Sequence, residues 1–275
     1  MAHPELKALA DVLGDLEPTA PTACADWTVH DLVAHLAAGA KEVAELIEEY
    51  LAGQPARPTR DFDERERPFR AFTHPDLLAA LTEQSRRKIA ALEVLAGRGD
   101  RAAVAFTGTT MTATQFQTHA RSEAALHRWD LVGDDSVCDQ LLSQPDLTRH
   151  AVNVLNAMPV LDESARIRQS PAPRRIVLTS SGQPDVVIET GTAGARFALV
   201  EVEDRDGPAK GDILLATDAA NRLLVLWGRR SSQRQLSIET DGVGFEAIEP
   251  VLWPAATTWP RHDSQDTAQT VSPIL

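Results

Sequence analysis

Glu123 and His127 stand four residues apart in the segment Thr112–Leu131. At about 100° per residue they share one helical stripe with Phe116, Ala120 and Leu131. A carboxylate and an imidazole are thereby aimed at a core, where leaving them unpartnered would cost roughly several kcal/mol. Two readings answer that cost. A divalent metal ion uses both side chains at once, because Glu-x-x-x-His presents two ligands in one direction. A buried Glu–His hydrogen bond, or pairing with Arg121 or Arg128, is the structural alternative.

A third ligand from a separate helix favours the metal, and His35 is the residue placed to supply it. It lies about 120° from the centre of its helix's apolar stripe, on the margin, where a half-exposed histidine is the plain alternative. Gly39, one turn further along the same line, leaves open space beside the imidazole. His119 precedes Glu123 by four residues and climbs the same face, as a fourth ligand, an outer group or a histidine one turn above the site. Together His35, Glu123 and His127 offer two nitrogens and one carboxylate, a set suited to Zn²⁺ with an open position, other first-row metals not being excluded. An open position implies a Lewis acid or an activated nucleophile. That nucleophile is either water, giving hydrolysis, or a thiol whose pKa falls on metal binding. His3, His30, His74, His150 and His262 fall in caps, polar faces or the tail and are assigned no chemistry.

The first half of the chain reads as the helices that must carry these groups. One runs from about Pro4 to Leu16. Thr28 opens a second, with Asp31 in a capping-box arrangement, and Val29, Leu32, Val33, Leu36, Ala40, Val43, Ala44, Ile47 and Leu51 recur at helical spacing until Gly53 and Pro55. Residues 54–73 hold Pro, Arg, Asp and Glu with little periodicity and read as a long surface loop. Its arginines (57, 60, 65, 67 and 70) would suit an acidic substrate, but interleaved acidic residues favour a solvated loop. Thr73-His-Pro-Asp76 starts a third helix, ending near Gly97. Thr112 and Gln115 can cap the one holding Glu123 and His127. Four such helices suggest a bundle around one core. A helix near Asp146–Leu161 bridges to the second half, where short β-branched runs at 175–179, 185–189, 197–202 and 212–216, a helix over Ala219–Trp227 and a strand over Gln235–Glu239 predict an α+β domain. The tail after Trp253 lacks periodicity and is expected to be loosely held.

Composition narrows the function. The chain has 275 residues, 43% of them hydrophobic, enough for two domains with real cores. Its net charge of −13 disfavours duplex nucleic acid and anionic membrane as main partners. Cys24 and Cys138 form no CxxC arrangement, so both read as structural thiols in a reducing compartment. With no signal-peptide pattern and no long apolar run, the chain reads as cytoplasmic. No phosphate loop or GxSxG elbow occurs, and Gly242-Val-Gly244 is a weak dinucleotide signal.

Two stretches carry a family resemblance. Cys24-Ala-Asp-Trp27-Thr-Val-His-Asp31-Leu-Val-Ala-His35-Leu-Ala and Arg121-Ser-Glu123-Ala-Ala-Leu-His127-Arg-Trp-Asp130-Leu resemble the helix-2 and helix-4 motifs of the mycothiol-dependent maleylpyruvate isomerase family. Asn221-Arg-Leu-Leu-Val-Leu-Trp227-Gly-Arg229 is similar to the helix end of its C-terminal domain. The resemblance implies a DinB-like four-helix metal-binding domain over residues 1–140 and a bridging helix and linker over 141–170. A sterol-carrier-like α+β domain over 171–253 and a flexible tail over 254–275 complete the chain. It also implies zinc on His35, Glu123 and His127, with mycothiol as thiol cosubstrate. That thiol adds to a small electrophile and then leaves after bond rotation (isomerisation) or stays attached (S-transfer). Arg229 is the expected catalytic cation for an anionic group, with Arg121 and Arg128 as alternatives, and the site is expected between the two domains. A non-catalytic metal- or ligand-binding protein on the same fold, or a metal-dependent hydrolase, are the rival readings.

Overall fold

The computed structural model describes residues 3–24, 26–157, 174–191, 194–201, 211, 213–229, 231 and 233–240. The expected end of the bridging helix at Leu161, Gly242-Val-Gly244, His262 and the tail lie outside these residues. The chain divides into two compact units, Met1–Val132 and Gly133–Leu275.

The first unit contains helices α1 (Pro4–Leu13), α2 (Val29–Leu51), α3 (Phe62–Arg70), α4 (His74–Ala96) and α5 (Ala113–Val132), with strands β1 (Ala103–Phe106) and β2 (Thr109–Thr112) between the last two helices. Each long helix starts where the sequence places a cap. Thr28 accepts from Asp31 N while the Asp31 carboxylate takes the Thr28 N–H, a complete capping box. Thr73 caps α4, and Thr112 and Gln115 exchange the same reciprocal bonds at the start of α5, at 2.8 and 3.3 Å. α2 packs against α4 and α3, and α1 against α5. Leu9, Leu13, Val33, Ala37, Phe69, Leu77 and Ala124 meet in the shared core. The alanines of α2 let neighbouring helices close on it from several sides. Between α1 and α5, Arg121 binds the fully buried Glu5 at 2.8 Å, so this arginine is spent on structure.

The hairpin β1–β2 was not anticipated. Its tight turn places Thr107 and Gly108 at φ 44° and 79°, the left-handed pair that a two-residue hairpin loop demands.

The surface loop expected over 54–73 is a correction. Asp61 accepts from Glu64 N at 2.7 Å and starts α3, whose buried residues are Arg65, Glu66 and Phe69. An inward face made largely of charged side chains leaves no apolar period to read, and the internal Pro68 argues against a helix. The segment before α3 is pinned to α2 as well: Arg57 and Arg60 reach the buried Glu42 at 2.6 and 2.7 Å.

The second unit begins with α6 (Ser136–Leu142) and α7 (Pro145–Ala157). It then forms β3 (Arg174–Thr179), β4 (Asp185–Gly191), β5 (Gly194–Val200), β6 (Ile213–Thr217), α8 (Ala219–Leu226) and β7 (Leu236–Thr240). The sheet runs β5-β4-β3-β6-β7, antiparallel except for the parallel β3–β6 pair. Ile176, Val177 and Leu178 on β3 and Val186, Val187 and Ile188 on β4 are all buried, as strands covered on both faces require. Asn156 of α7 bonds the Phe197 backbone through both amide ends, at 2.7 and 2.9 Å, docking that helix on β5. Arg234 gathers Asp134, Asp139 and Asp218, tying the N-termini of α6 and α8 to the lead-in of β7. The helical first unit and the sheet-bearing second one are the architecture expected from the sequence.

Candidate metal centre

His35 enters the site from the middle of α2, and Glu123 and His127 enter from successive turns of α5. Two distant stretches of sequence therefore meet. The ligand-capable atoms of His35, Glu123 and His127 lie within 4.8 Å of one another. His35 Nε2 stands 3.9 Å from Glu123 Oε2, and His127 Nε2 stands 3.5 Å from the same oxygen. The imidazole rings are 5.2 Å apart and edge-on.

His35 is 3% exposed rather than half-exposed at a helix margin. The reason is the cover supplied by other segments: Trp27 lies 5.0 Å from its ring, and Phe62 of α3 stacks on it at 5.4 Å and 11°. A side chain at Gly39 would meet nothing within 4 Å, the open space expected there.

Each histidine is oriented by its own carboxylate. His35 Nδ1 lies 2.7 Å from Glu66 Oε1, and His127 Nδ1 lies 2.9 Å from Asp130 Oδ2. With Nδ1–H donated to a carboxylate, the Nε2 lone pair of each ring turns toward Glu123, the arrangement that prepares imidazole for a metal. Sequence reasoning missed Glu66 because its helix reads as loop; the Asp61-x-x-Glu64 start signal was the available clue. Asp130 sits in the quoted motif but was given no role. It is further anchored by its backbone carbonyl, which accepts from Ala23 N at 2.7 Å and joins the Cys24–Trp27 loop to α5.

The donor set fits a divalent cation on an observation of its own. His127 Nε2 and Glu123 Oε1 are buried with no hydrogen-bond partner, a cost that a bound cation removes. The electrostatics agree. Burial alone would raise the Glu123 pKa, but His127 and His35 outweigh it and hold the carboxyl well below its ordinary range. Burial would lower His127, but Asp130, Cys24 and Glu123 hold it well above the usual histidine value. The cage is built to keep positive charge. Cys24, His127 and Asp130 form a second close group on the far nitrogen of the same ring. His119 belongs to neither group, and its ring packs edge-on against Phe106 at 5.4 Å.

Arg229 belongs to the second unit. Gly228, at φ 73°, ends α8, and Arg229 N donates back to Leu224 O at 2.8 Å in a Schellman closure. The buried Arg229 side chain donates to Trp227 O at 3.1 Å. Arg128 is buried, at 6% exposure.

Among the described residues no helix is long and apolar enough to cross a membrane. No curated protein matches the chain. Two solved structures resemble it: a crystal structure of the mycothiol-dependent maleylpyruvate isomerase (16% identity) and one of a histidine-to-alanine mutant of that enzyme (15% identity). Each has a TM-score of 0.53 and covers 85% of this chain and 88% of its own. At that identity they establish a common fold. The family model described as the mycothiol maleylpyruvate isomerase N-terminal domain matches residues 2–132. Residues 2–132, nearly the whole of the first unit, thus match the N-terminal domain of the mycothiol maleylpyruvate isomerase family.

Proposed function

We propose that the chain is a metal-dependent enzyme that uses mycothiol, a low-molecular-weight thiol, to isomerise a small electrophile or to transfer the thiol sulfur to it. His35, Glu123 and His127 would hold the divalent ion, zinc suiting two imidazoles and a carboxylate best. When bound, that ion supplies Lewis acidity that brings a thiol to its thiolate near neutral pH. The observation that carries the reading is the pair of histidines whose Nδ1 atoms are taken by Glu66 and Asp130, leaving both Nε2 atoms turned to one carboxylate.

The chain's own residues have definable tasks. Glu66 and Asp130 fix the tautomer of each ring. Trp27 and Phe62 screen His35 from water, which strengthens every charge interaction around it. A thiolate added to one end of an activated double bond leaves a single bond free to rotate, and its departure restores the alkene in the other geometry. Arg229 is proposed as the cation that meets an anionic group of the reactants, its backbone already fixed by the end of α8. Both cysteines are buried and neither is in a disulfide among the described residues, in keeping with a cytoplasmic protein whose reactive sulfur comes from the cosubstrate.

Metal analysis of the purified chain and a screen of electrophiles with and without mycothiol test the proposal together. The expected result is stoichiometric metal, lost in His127→Ala with the helical signal retained, and turnover only when thiol is present. Protein without stoichiometric metal would refute the reading, and turnover equally fast without thiol would make the chain a hydrolase. Arg229→Met should lower kcat/KM with metal content unchanged.

A further inference from the structure

Most arginines between residues 57 and 70 are committed to carboxylates. Arg57 and Arg60 meet Glu42 and Glu45, Arg67 meets Asp63, and Arg70 meets Glu66. Arg65 is different. It is 9% exposed, it forms no ion pair among the described residues, and its buried Nε has no hydrogen-bond partner. Its guanidinium carbon lies 4.0 Å from the centroid of the Phe62 ring, the ring that stacks on His35. The next residue, Glu66, is the acceptor for His35 Nδ1. A cation with no ion pair among the described residues thus stands one side chain away from the metal-binding cluster.

A second cation approaches from α4. Leu77, Leu81, Gln84, Lys88, Leu92 and Leu95 recur at three- and four-residue intervals, and Leu77, Leu92 and Leu95 are buried, so Lys88 occupies the inward stripe of the helix. Lys88 is half-buried and forms no ion pair among the described residues. One turn earlier, Gln84 Oε1 is buried without a partner. α4 packs against α5, and the charges of Lys88 and Arg65 are both felt at Glu123 and at His119. The two cations therefore flank the same place from two helices.

Burying positive charge without a counter-ion is costly, and removing partners from such groups costs more than never having buried them. Glu123 is the nearest shared negative group, but neither cation closes on it as an ion pair, and the metal reading commits its oxygens elsewhere. A guanidinium fork with an ammonium beside it matches a carboxylate, which takes two N–H donors from the fork and a point charge from the lysine.

We propose that Arg65 and Lys88 form the receptor for a carboxylate group of the electrophilic substrate, beside the His35/Glu123/His127 cluster. This rests on the metal-centre reading for its location, while the anion site itself is testable apart from it. Arg65 and Lys88 orient the reactant, and the thiol chemistry proceeds at the neighbouring cluster.

The test is calorimetric binding of succinate and of its neutral diamide, succinamide, to the zinc-loaded full chain, with metal content and melting temperature measured for each variant. Wild-type protein should bind succinate about tenfold or more tighter than succinamide, as a charge-assisted contact implies. Arg65→Met and Lys88→Met should each weaken succinate by about tenfold to a hundredfold, leaving succinamide binding and metal content unchanged. Arg65→Lys and Lys88→Arg should each recover part of the loss. Equal binding of succinate and succinamide by the wild type would overturn the proposal. So would wild-type succinate affinity in both methionine variants, or loss of metal in either, which would make that residue a support of the cage. If Arg65→Met fails to fold, the wild-type comparison and Lys88→Met still decide. The same two titrations are run on the metal-free full chain, so failure of the wild type to take up zinc would refute the metal centre alone, and equal binding of succinate and succinamide without metal would overturn the anion site.

Discussion

Removing Glu66 should weaken metal binding without touching a ligand. Glu66 is fully buried, lies 2.7 Å from His35 Nδ1 and accepts from Arg70 at 2.6 Å. In Glu66→Ala the His35 ring loses the group that fixes its tautomer and its rotation about χ2. Nε2 then presents a lone pair for only part of the time, and the ring must be reordered whenever the ion binds. Loss of such an outer carboxylate reduces metal affinity by about tenfold to a hundredfold, or about 1.4–2.7 kcal/mol. Glu66→Gln keeps an acceptor oxygen at the same place but no charge, so its loss should lie near the lower end. Asp130→Asn should behave like Glu66→Gln from the other side of the cluster, since Asp130 holds His127 in the same way at 2.9 Å. The assay is zinc competition against a chromogenic chelator at fixed pH, with circular dichroism melts showing that each variant is folded. A folded Glu66→Ala protein that holds zinc as tightly as the wild type would refute the reasoning. Glu66 would then only help to pack α3 on α2.

Three further predictions concern the scaffold. Burial alone would raise the Glu42 pKa, but Arg57 and Arg60 outweigh it and hold the carboxyl below its ordinary value of 4.5, so its stabilisation is present above that pH and lost as pH falls through the depressed value. Glu42→Gln should therefore cost about 2 kcal/mol at neutral pH by denaturant titration, with the gap to wild type closing on acidification; a gap independent of pH would contradict this. Asn156→Ala, which removes both bonds to the Phe197 backbone, should destabilise the second unit by about 1–3 kcal/mol while zinc content stays at the wild-type value. Gly228→Ala forces a side chain into the left-handed region at φ 73°, costing about 1 kcal/mol, and should reduce turnover more than stability if Arg229 meets the reactants.

The parts of this protein that were legible in its sequence are those written in local spacing. Thr28 with Asp31 and Thr112 with Gln115 start helices through bonds that reach only three residues, so any chain with those side chains there finds them. Glu123 and His127 share a helical face by arithmetic alone, and His35 could be nominated from its place on α2. β3 and β4 announced themselves through β-branched runs because both of their faces are buried. What required tertiary structure was everything set by surroundings. The burial of His35 depends on Trp27 and Phe62, neither of which lies on its helix. α3 went unread because it turns Arg65 and Glu66 inward, and the partner a buried charge meets there comes from elsewhere in the chain. Glu66 finds that partner in His35, from a helix more than thirty positions earlier in the sequence. Arg65 finds none among the described residues, and that difference between two adjacent charged residues is invisible in one dimension because the energy of a charge is fixed by what surrounds it in three.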